Sequence, residues 1–240
     1  MGGQDALIIN SQVALYSFLG SIIPIIIWLW FWLKEDPHPE PRKILIATFM
    51  GGVLAVPVAL IGEILAVEGG TLLGILSPGS LPFLLLFIWA AIEEYVKYKA
   101  AAWTALFRPG FDEPIDAPIY LVTAALGFAS FENGIFLFNA FLDNTAFGII
   151  TGQLRFLGAT LLHVTASGIV GISIAYSFFH KELRHRNVIG GLCTAILLHA
   201  LFNFFILKQG NGNILIIFIG VWVVTIILLL FMEKIKRLRP

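Results

Sequence analysis

Four groups of ionisable or amide side chains lie inside stretches that are apolar enough to cross a membrane. The groups are Glu93-Glu94-x-x-Lys97, Glu132-Asn133, His163 and His199-x-x-x-Asn203. A carboxylate or an imidazole in hydrocarbon is costly unless it finds a partner, water or an ion. Because these groups are on separate helices, we expect the fold to gather them at one site, for chemistry or for transport.

The first group combines two adjacent carboxylates with one lysine. Glu93 and Lys97 are four residues apart and share a helix face, and Glu94 is three residues from Lys97. One lysine cannot neutralise both carboxylates, so one glutamate is predicted to be a general base, and the sequence leaves open which one. The structural alternative is an ion pair near the interface, with Lys97 reaching the lipid headgroups.

Glu132 and His163 need partners from other helices. Glu132 has no basic residue within two turns of its own helix. His163 belongs to a stripe at four-residue spacing, Ala159, His163, Ser167 and Gly171, whose small members allow close helix packing. The alternatives are a protonated Glu132 that hydrogen-bonds across helices and a His163 bonded to a backbone carbonyl.

His199 and Asn203 are one turn apart on one helix face. This pair can orient an imidazole and present an amide donor to a developing oxyanion, or it can simply hold two helices together. Arg155, at the predicted outer end of its helix, is interpreted as an interface anchor.

The composition indicates an integral membrane protein. The chain is 58% hydrophobic and 12% charged, with a net charge of zero, and its mean hydropathy is +0.91. The zero net charge gives no indication of nucleic-acid binding. The single cysteine, Cys193, excludes an intrachain disulfide and a cysteine-based zinc site. We expect one integral-membrane domain over residues 1–240.

A transmembrane helix needs about 20 mostly apolar residues. Seven stretches qualify: Leu7–Leu33, Ile44–Val67, Leu81–Phe107, Pro118–Leu142, Leu154–Phe179, Val188–Leu207 and Ile214–Met232. The predicted fold is therefore an all-α polytopic membrane bundle of about seven transmembrane helices. At about 1.5 Å per residue, all four polar groups fall in the middle third of a core about 30 Å thick.

Lysine and arginine are distributed unevenly between the two sides of this bundle. One side has only Arg155 and Lys208. The other has Lys34, Arg42, Lys43, Arg108, Lys181, Arg184, Arg186, Lys234, Lys236, Arg237 and Arg239. Because basic residues favour the cytoplasm, we predict a multi-pass protein of the cell membrane with its N-terminus outside and its C-terminus in the cytoplasm.

The ordered motifs resemble the PrsW family of intramembrane proteases, within a superfamily that includes the CAAX prenyl-protein endopeptidases. Glu93-Glu94-x-x-Lys97 resembles the family's EExxK, and His163 and His199–Asn203 fit its third and fourth motifs. The segment from Asp112 through Tyr120 to Gly127-Phe-Ala-Ser-Phe-Glu-Asn133 resembles D-x-P-x-D…Y…GFA-x-x-EN. The protease core would span approximately residues 81–207. Phe136 stands where the family pattern has an aromatic hydroxyl, so any role of that hydroxyl is absent here.

The resemblance implies hydrolysis of a peptide bond in a membrane-anchored protein substrate, including regulatory proteins such as anti-sigma factors. Glu93 or Glu94 would be the base, with Lys97 holding the pair in place. Glu132 and His163 would position a water or a metal. The two catalytic residues of the fourth motif, His199 and Asn203, would stabilise the oxyanion or complete the metal shell.

Two mechanisms fit this resemblance. In the first, Glu132, His163 and His199 would bind a divalent metal such as zinc and leave an open position for water. In the second, a glutamate activates water without a cofactor. The metal-free version is preferred at this point, because the chain lacks the local HExxH spacing of many zinc proteases.

Two other functions use the same residue types. Intramembrane glutamates and histidines also build the proton relays of transporters, although no pair of Gly/Pro-broken helices occupies matching positions in two halves of the chain. In a non-catalytic scaffold or binding protein, the polar residues would only hold helices together, and substituting them would cost stability instead of turnover.

Overall fold

The computed structural model describes residues 3–76, 83–209 and 214–238, and every regular element among them is a helix. The α-helices are α1 (Gly3–Leu33), α2 (Arg42–Leu72), α3 (Phe83–Ala101), α4 (Asp116–Asp143), α5 (Thr145–Leu154), α6 (Thr160–Ala175), α7 (Arg184–Gln209) and α8 (Ile214–Ile235). A π-helical turn (Ala102–Leu106) extends α3, another (Arg155–Ala159) joins α5 to α6, and a 3₁₀ turn (Lys181–Leu183) precedes α7. The all-α prediction is confirmed.

Six segments of the described chain are long and apolar enough to cross a membrane. They are Ser11–Leu33, Arg42–Leu72, Asp116–Asp143, Thr145–Ala175, Lys181–Lys208 and Ile214–Ile235. The remaining predicted span corresponds to α3, which carries Glu93, Glu94, Lys97 and Lys99 and packs against α2, α4 and α7. The multi-pass helical architecture is therefore confirmed, whereas the inside–outside orientation stays a prediction.

The interval between the predicted stretches Pro118–Leu142 and Leu154–Phe179 was expected to be a loop, and this expectation is wrong. Only Asn144 separates α4 from α5, and its side-chain Oδ1 accepts a hydrogen bond of 2.8 Å from the backbone N–H of Phe147. This is an N-cap, in which a side-chain oxygen replaces the missing helical acceptor at a helix start. The chain is therefore helical again at Thr145.

The fifth span consequently begins earlier than the predicted Leu154. Because α5 passes through the π-helical turn directly into α6, the whole segment Thr145–Ala175 forms one span. Arg155 lies within this span and not at its end. Its interpretation as an interface anchor is therefore wrong, and its guanidinium is available to the interior of the bundle.

Small residues let the central helices touch through their backbones. A Cβ atom on Gly52 of α2 would lie 1.9 Å from the carbonyl oxygen of Ala124, and one on Gly127 of α4 would lie 2.0 Å from that of Phe49. On α6, a Cβ on Gly171 would lie 2.3 Å from Cα of Pro118. The small-residue stripe of α6 therefore packs against α4, as predicted.

Gly127→Ala is expected to destabilise the protein by about 1–3 kcal/mol or more, because the added methyl group overlaps backbone atoms that cannot move without separating α2 from α4. Equilibrium unfolding of the detergent-solubilised protein by SDS measures the change. The matched control is Gly220→Ala, since nothing lies within 4 Å of a Cβ at Gly220. Equal stability of the two variants would contradict the close contact.

Candidate active site

Three polar residues of α3, Glu93, Glu94 and Lys97, are buried in the bundle. Lys97 has no exposed surface, Glu94 is 1% exposed and Glu93 is 7% exposed. The ammonium of Lys97 lies 2.5 Å from Oε1 of Glu94 but 3.8 Å from Oε2 of Glu93. Lys97 therefore pairs closely with one of the two carboxylates, and does not hold both equally as the sequence suggested.

Glu94 is fully engaged by neighbouring helices. Its Oε1 lies 2.8 Å from Nδ1 of His199 on α7, and its Oε2 accepts a hydrogen bond of 3.3 Å from the hydroxyl of Ser167 on α6. A carboxylate only accepts, so His199 carries its proton on Nδ1 and presents Nε2 on the opposite side of the ring. Ser167 belongs to the predicted stripe, but sequence reasoning gave it no polar role.

His163 on α6 is also held by a carboxylate. Its Nε2 lies 2.9 Å from Oε2 of Glu132, and its Nδ1 lies 3.0 Å from the ammonium of Lys97. Because an ammonium group only donates, Nδ1 is the acceptor and Nε2 carries the proton. The rings of His163 and His199 are nearly perpendicular, with centroids 5.2 Å apart.

A second cation holds Glu132. The guanidinium of Arg155 donates hydrogen bonds of 2.5 Å to Oε2 of Glu132 and to Oδ1 of Asn133. Asn133 in turn donates to the hydroxyl of Thr160 at 2.9 Å, so it bridges α4 and α6. The partner of Glu132 does come from another helix, as predicted. Arg155 was not identified as that partner, because its helix was predicted to begin only at Leu154, which put Arg155 at the helix end. Asn144 was the available signal, since asparagine before an apolar run marks a helix start.

The guanidinium of Arg155 also lies 3.9 Å from the ring centroid of Phe136. This is the position at which the family pattern has a hydroxyl. A flat aromatic face over a guanidinium is a favourable cation–π contact. Phe136 therefore supports the ion pair between Arg155 and Glu132 in this chain.

Glu93 differs from the other carboxylates of the site. Its Oε2 is buried and has no hydrogen-bond partner within the described parts of the chain. The same oxygen lies 3.9 Å from Nδ1 of His163 and 3.9 Å from Nε2 of His199. These separations are too long for hydrogen bonds and leave an uncommitted oxygen facing two imidazoles.

Glu93, His163 and His199 can together supply three ligands to one metal ion. One ligand atom from each lies within 4.8 Å of the others, and all three residues are buried. Two imidazoles and one carboxylate suit zinc and leave a fourth position open for water. The fit requires the ammonium of Lys97 to give up its contact with His163 and to stay on Glu94, 2.5 Å away.

This carboxylate is not the predicted ligand. The sequence prediction placed Glu132 beside His163 and His199, but in the structure Glu132 contacts the outward nitrogen of His163 and is paired with Arg155. Asn203, one turn beyond His199, is half-buried, and it makes no hydrogen bond with the described residues of the centre. Its role at an oxyanion stays a prediction.

The Asp112–Tyr120 part of the motif orders the loop that precedes α4. The Asp116 carboxylate accepts hydrogen bonds of 2.9 and 2.7 Å from two backbone N–H groups of that loop. The Tyr120 hydroxyl contacts Glu40 through a short hydrogen bond and Gly110 through its carbonyl oxygen at 2.9 Å. Burial raises the pKa of Glu40. The hydroxyl of Tyr120 donates to Oε2 of Glu40 and thereby ties the α1–α2 loop to α4.

Comparison with known proteins agrees with the predicted resemblance. The model of the family described as PrsW family intramembrane metalloprotease matches residues 40–231. A protein named Protease PrsW from Geobacillus kaustophilus (strain HTA426) is 29% identical over 181 residues, which are 75% of this chain and 74% of that protein. Protease PrsW from Clostridioides difficile (strain 630) is 27% identical over 208 residues, 85% of this chain and 84% of that protein. No solved structure matches the chain.

Proposed function

Because the chain belongs to the PrsW family of intramembrane metalloproteases, we propose that Glu93, His163 and His199 form its catalytic metal centre. The protein is thus a multi-pass membrane peptidase, and the proposal concerns where and how it cleaves. The substrate class we infer is a membrane-anchored protein, because His163 and His199 lie on helices long and apolar enough to cross a bilayer.

The observation that carries the proposal is the way in which the two histidines are held. Each imidazole has a carboxylate on one nitrogen, Glu132 at 2.9 Å from His163 and Glu94 at 2.8 Å from His199. Each turns its other nitrogen toward the uncommitted oxygen of Glu93, at 3.9 Å. Histidines that bind metals are typically oriented by a carboxylate on the distal nitrogen in this manner.

Each orienting carboxylate is balanced by one buried or half-buried cation. Lys97 pairs with Glu94 and Arg155 pairs with Glu132, both at 2.5 Å. With these two pairs neutralised, Glu93 keeps the negative charge that attracts a cation to the centre. In the proposal, Glu93 is therefore the reactive member of the adjacent pair of glutamates, and Glu94 positions the ring of His199.

A bound zinc ion would lower the pKa of a water molecule and polarise the substrate carbonyl. With one oxygen of the Glu93 carboxylate on the metal, the other would accept a proton from water as the water oxygen forms its bond to the carbonyl carbon. The same proton then passes to the amide nitrogen as the C–N bond breaks, and the products are a carboxylic acid and an amine. Lys97 and Arg155 keep the orienting carboxylates charged throughout the reaction.

The test is cleavage of a library of single-span reporter proteins by the purified protein in liposomes. We expect cleavage to stop when a zinc chelator is added and to return when zinc is added back. A carrier function would instead appear as solute uptake that survives Glu93→Gln, and a scaffold function as variants that lose stability alone. Cleavage that persists in Glu93→Gln, His163→Ala and His199→Ala would show that these residues are not the catalytic centre.

A further inference from the structure

A groove with a volume of about 310 Å³ lies between α2 and α3. It is lined by Leu60, Glu63, Ile64, Val67, Glu68 and Trp89, and we refer to it as the α2–α3 groove. Four of these residues, at positions 60, 63, 64 and 67, have the spacing of a single helix face. The walls are mostly apolar, but two carboxylates project from one side.

The α2–α3 groove lies about one helical turn along α3 from the candidate metal centre. Trp89 precedes Glu93 by four residues, so the two side chains share one face of α3. Helices α2 and α3 touch at the level of the centre, since a Cβ on Gly62 would lie 3.1 Å from Cγ2 of Ile92. Gly62 and Ile92 are the immediate neighbours of Glu63 and Glu93, so the two glutamates lie at the same level along α2 and α3.

Two polar groups of the groove have no partner in the described parts of the chain. The indole N–H of Trp89 is buried and donates to no acceptor among the described residues. Glu63 is half-buried, and no hydrogen bond or ion pair joins it to a described residue. A buried donor without an acceptor is unfavourable, and so is a carboxylate in an apolar setting. Both become favourable when an occupant supplies a carbonyl oxygen and a positive charge.

We propose that the α2–α3 groove binds an extended segment of the substrate that carries a lysine or arginine close to the scissile bond. Glu63 pairs with that basic side chain, and the indole N–H of Trp89 donates to a backbone carbonyl of the same segment. This inference rests on the proposed function, because it identifies the groove as the route by which a substrate reaches Glu93.

Charge complementarity favours a peptide over a phospholipid as the occupant. A phospholipid brings a phosphate along with any amine, and that phosphate would face the carboxylates of Glu63 and Glu68. A basic side chain brings only positive charge. The peptide that carries it also has backbone carbonyl groups that can accept a hydrogen bond from the indole N–H of Trp89. The groove is therefore expected to favour substrates that carry a basic residue at one fixed position of an otherwise apolar segment.

In the experiment, a lysine is substituted in turn at each of the six positions on each side of the cut in a cleaved single-span reporter. A second set of reporters carries a glutamate at the same positions. The kcat/KM of the purified protein in liposomes is measured for each reporter. We expect one register at which lysine is preferred over glutamate by about tenfold or more. Glu63→Gln should bring this preference close to one, and Glu63→Lys should reverse it. The matched control Glu182→Gln, in an exposed loop, should retain it.

Trp89→Phe tests the second contact, since it keeps an aromatic ring and removes the donor. It should raise KM for all reporters alike, without changing the charge preference. The groove proposal would be overturned if Glu63→Lys left the preference unchanged, or if no position favoured lysine. The proposed function would still stand in either case, as long as the reporters were cleaved. A preference that vanishes when amine-headgroup lipids are replaced by phosphatidylglycerol would place a lipid in the groove and also overturn it.

Discussion

Glu93→Gln is expected to abolish peptide-bond hydrolysis while leaving the protein as stable as before. The exchange removes a negative charge and a proton acceptor but keeps the size of the side chain. Loss of a general base typically lowers the rate by about 10²–10⁴-fold. Stability should not fall, because Oε2 of Glu93 makes no hydrogen bond with a described residue and none is lost there.

The adjacent exchange, Glu94→Gln, gives the contrast that makes this prediction informative. Glu94 contacts Lys97 at 2.5 Å and His199 at 2.8 Å, so its replacement leaves a buried ammonium without its counter-ion. Glu94→Gln should therefore lower both activity and the free energy of unfolding. Reporter cleavage and SDS unfolding, measured on both variants and on Glu182→Gln, separate the two glutamates. A Glu93→Gln variant that cleaves at the wild-type rate would refute the assignment.

Lys97→Met is expected to produce the largest loss of stability among single substitutions at the site. Lys97 has no exposed surface and pairs with the equally buried Glu94. Removing one partner of a buried ion pair leaves an uncompensated charge and costs about 3–5 kcal/mol. The free energy of unfolding in SDS measures this change.

The double variant Glu94→Gln/Lys97→Met removes both charges together. Because a buried pair replaced by neutral groups of similar size is often tolerated, most of the lost stability should return. Activity should remain low, since His199 loses the carboxylate that orients its ring. A double variant that is no more stable than Lys97→Met would show that the two side chains do not act as a pair. The control Lys99→Met changes a lysine of the same helix that lies over aromatic rings instead of a carboxylate.

The sequence predicted the helices and the membership of the site more completely than the contacts within it. Apolar length is sufficient to locate a transmembrane helix, and mid-membrane depth brought Glu93, Glu132, His163 and His199 to the same level. The predicted loop after Asp143 failed because a single N-cap, Asn144, is enough to restart a helix. Because of that error, the sequence did not predict that Arg155 pairs with Glu132.

The pairing within the site depends on helix rotation, which sequence spacing does not determine. Glu93 and Glu94 are adjacent, so they differ in direction by about 100° around the helix axis. Whether α6 or α7 faces either carboxylate follows from contacts between helices, such as that of Gly62 on α2 with Ile92 on α3 and that of Gly191 on α7 with Val170 on α6. For this reason it is the tertiary structure, and not the spacing, that puts Glu93 instead of Glu132 within reach of both histidines.

The most direct test of the proposed centre is the zinc content of the purified protein after equilibration with zinc and removal of unbound metal. We expect about one tightly bound zinc per chain, at a site with two histidines and one carboxylate. His163→Ala and His199→Ala should lose it, and His180→Ala, in an exposed loop, should keep it. A wild-type protein that cleaves reporters while holding no divalent metal would contradict the metal centre, and equal zinc in all four proteins would place the metal elsewhere.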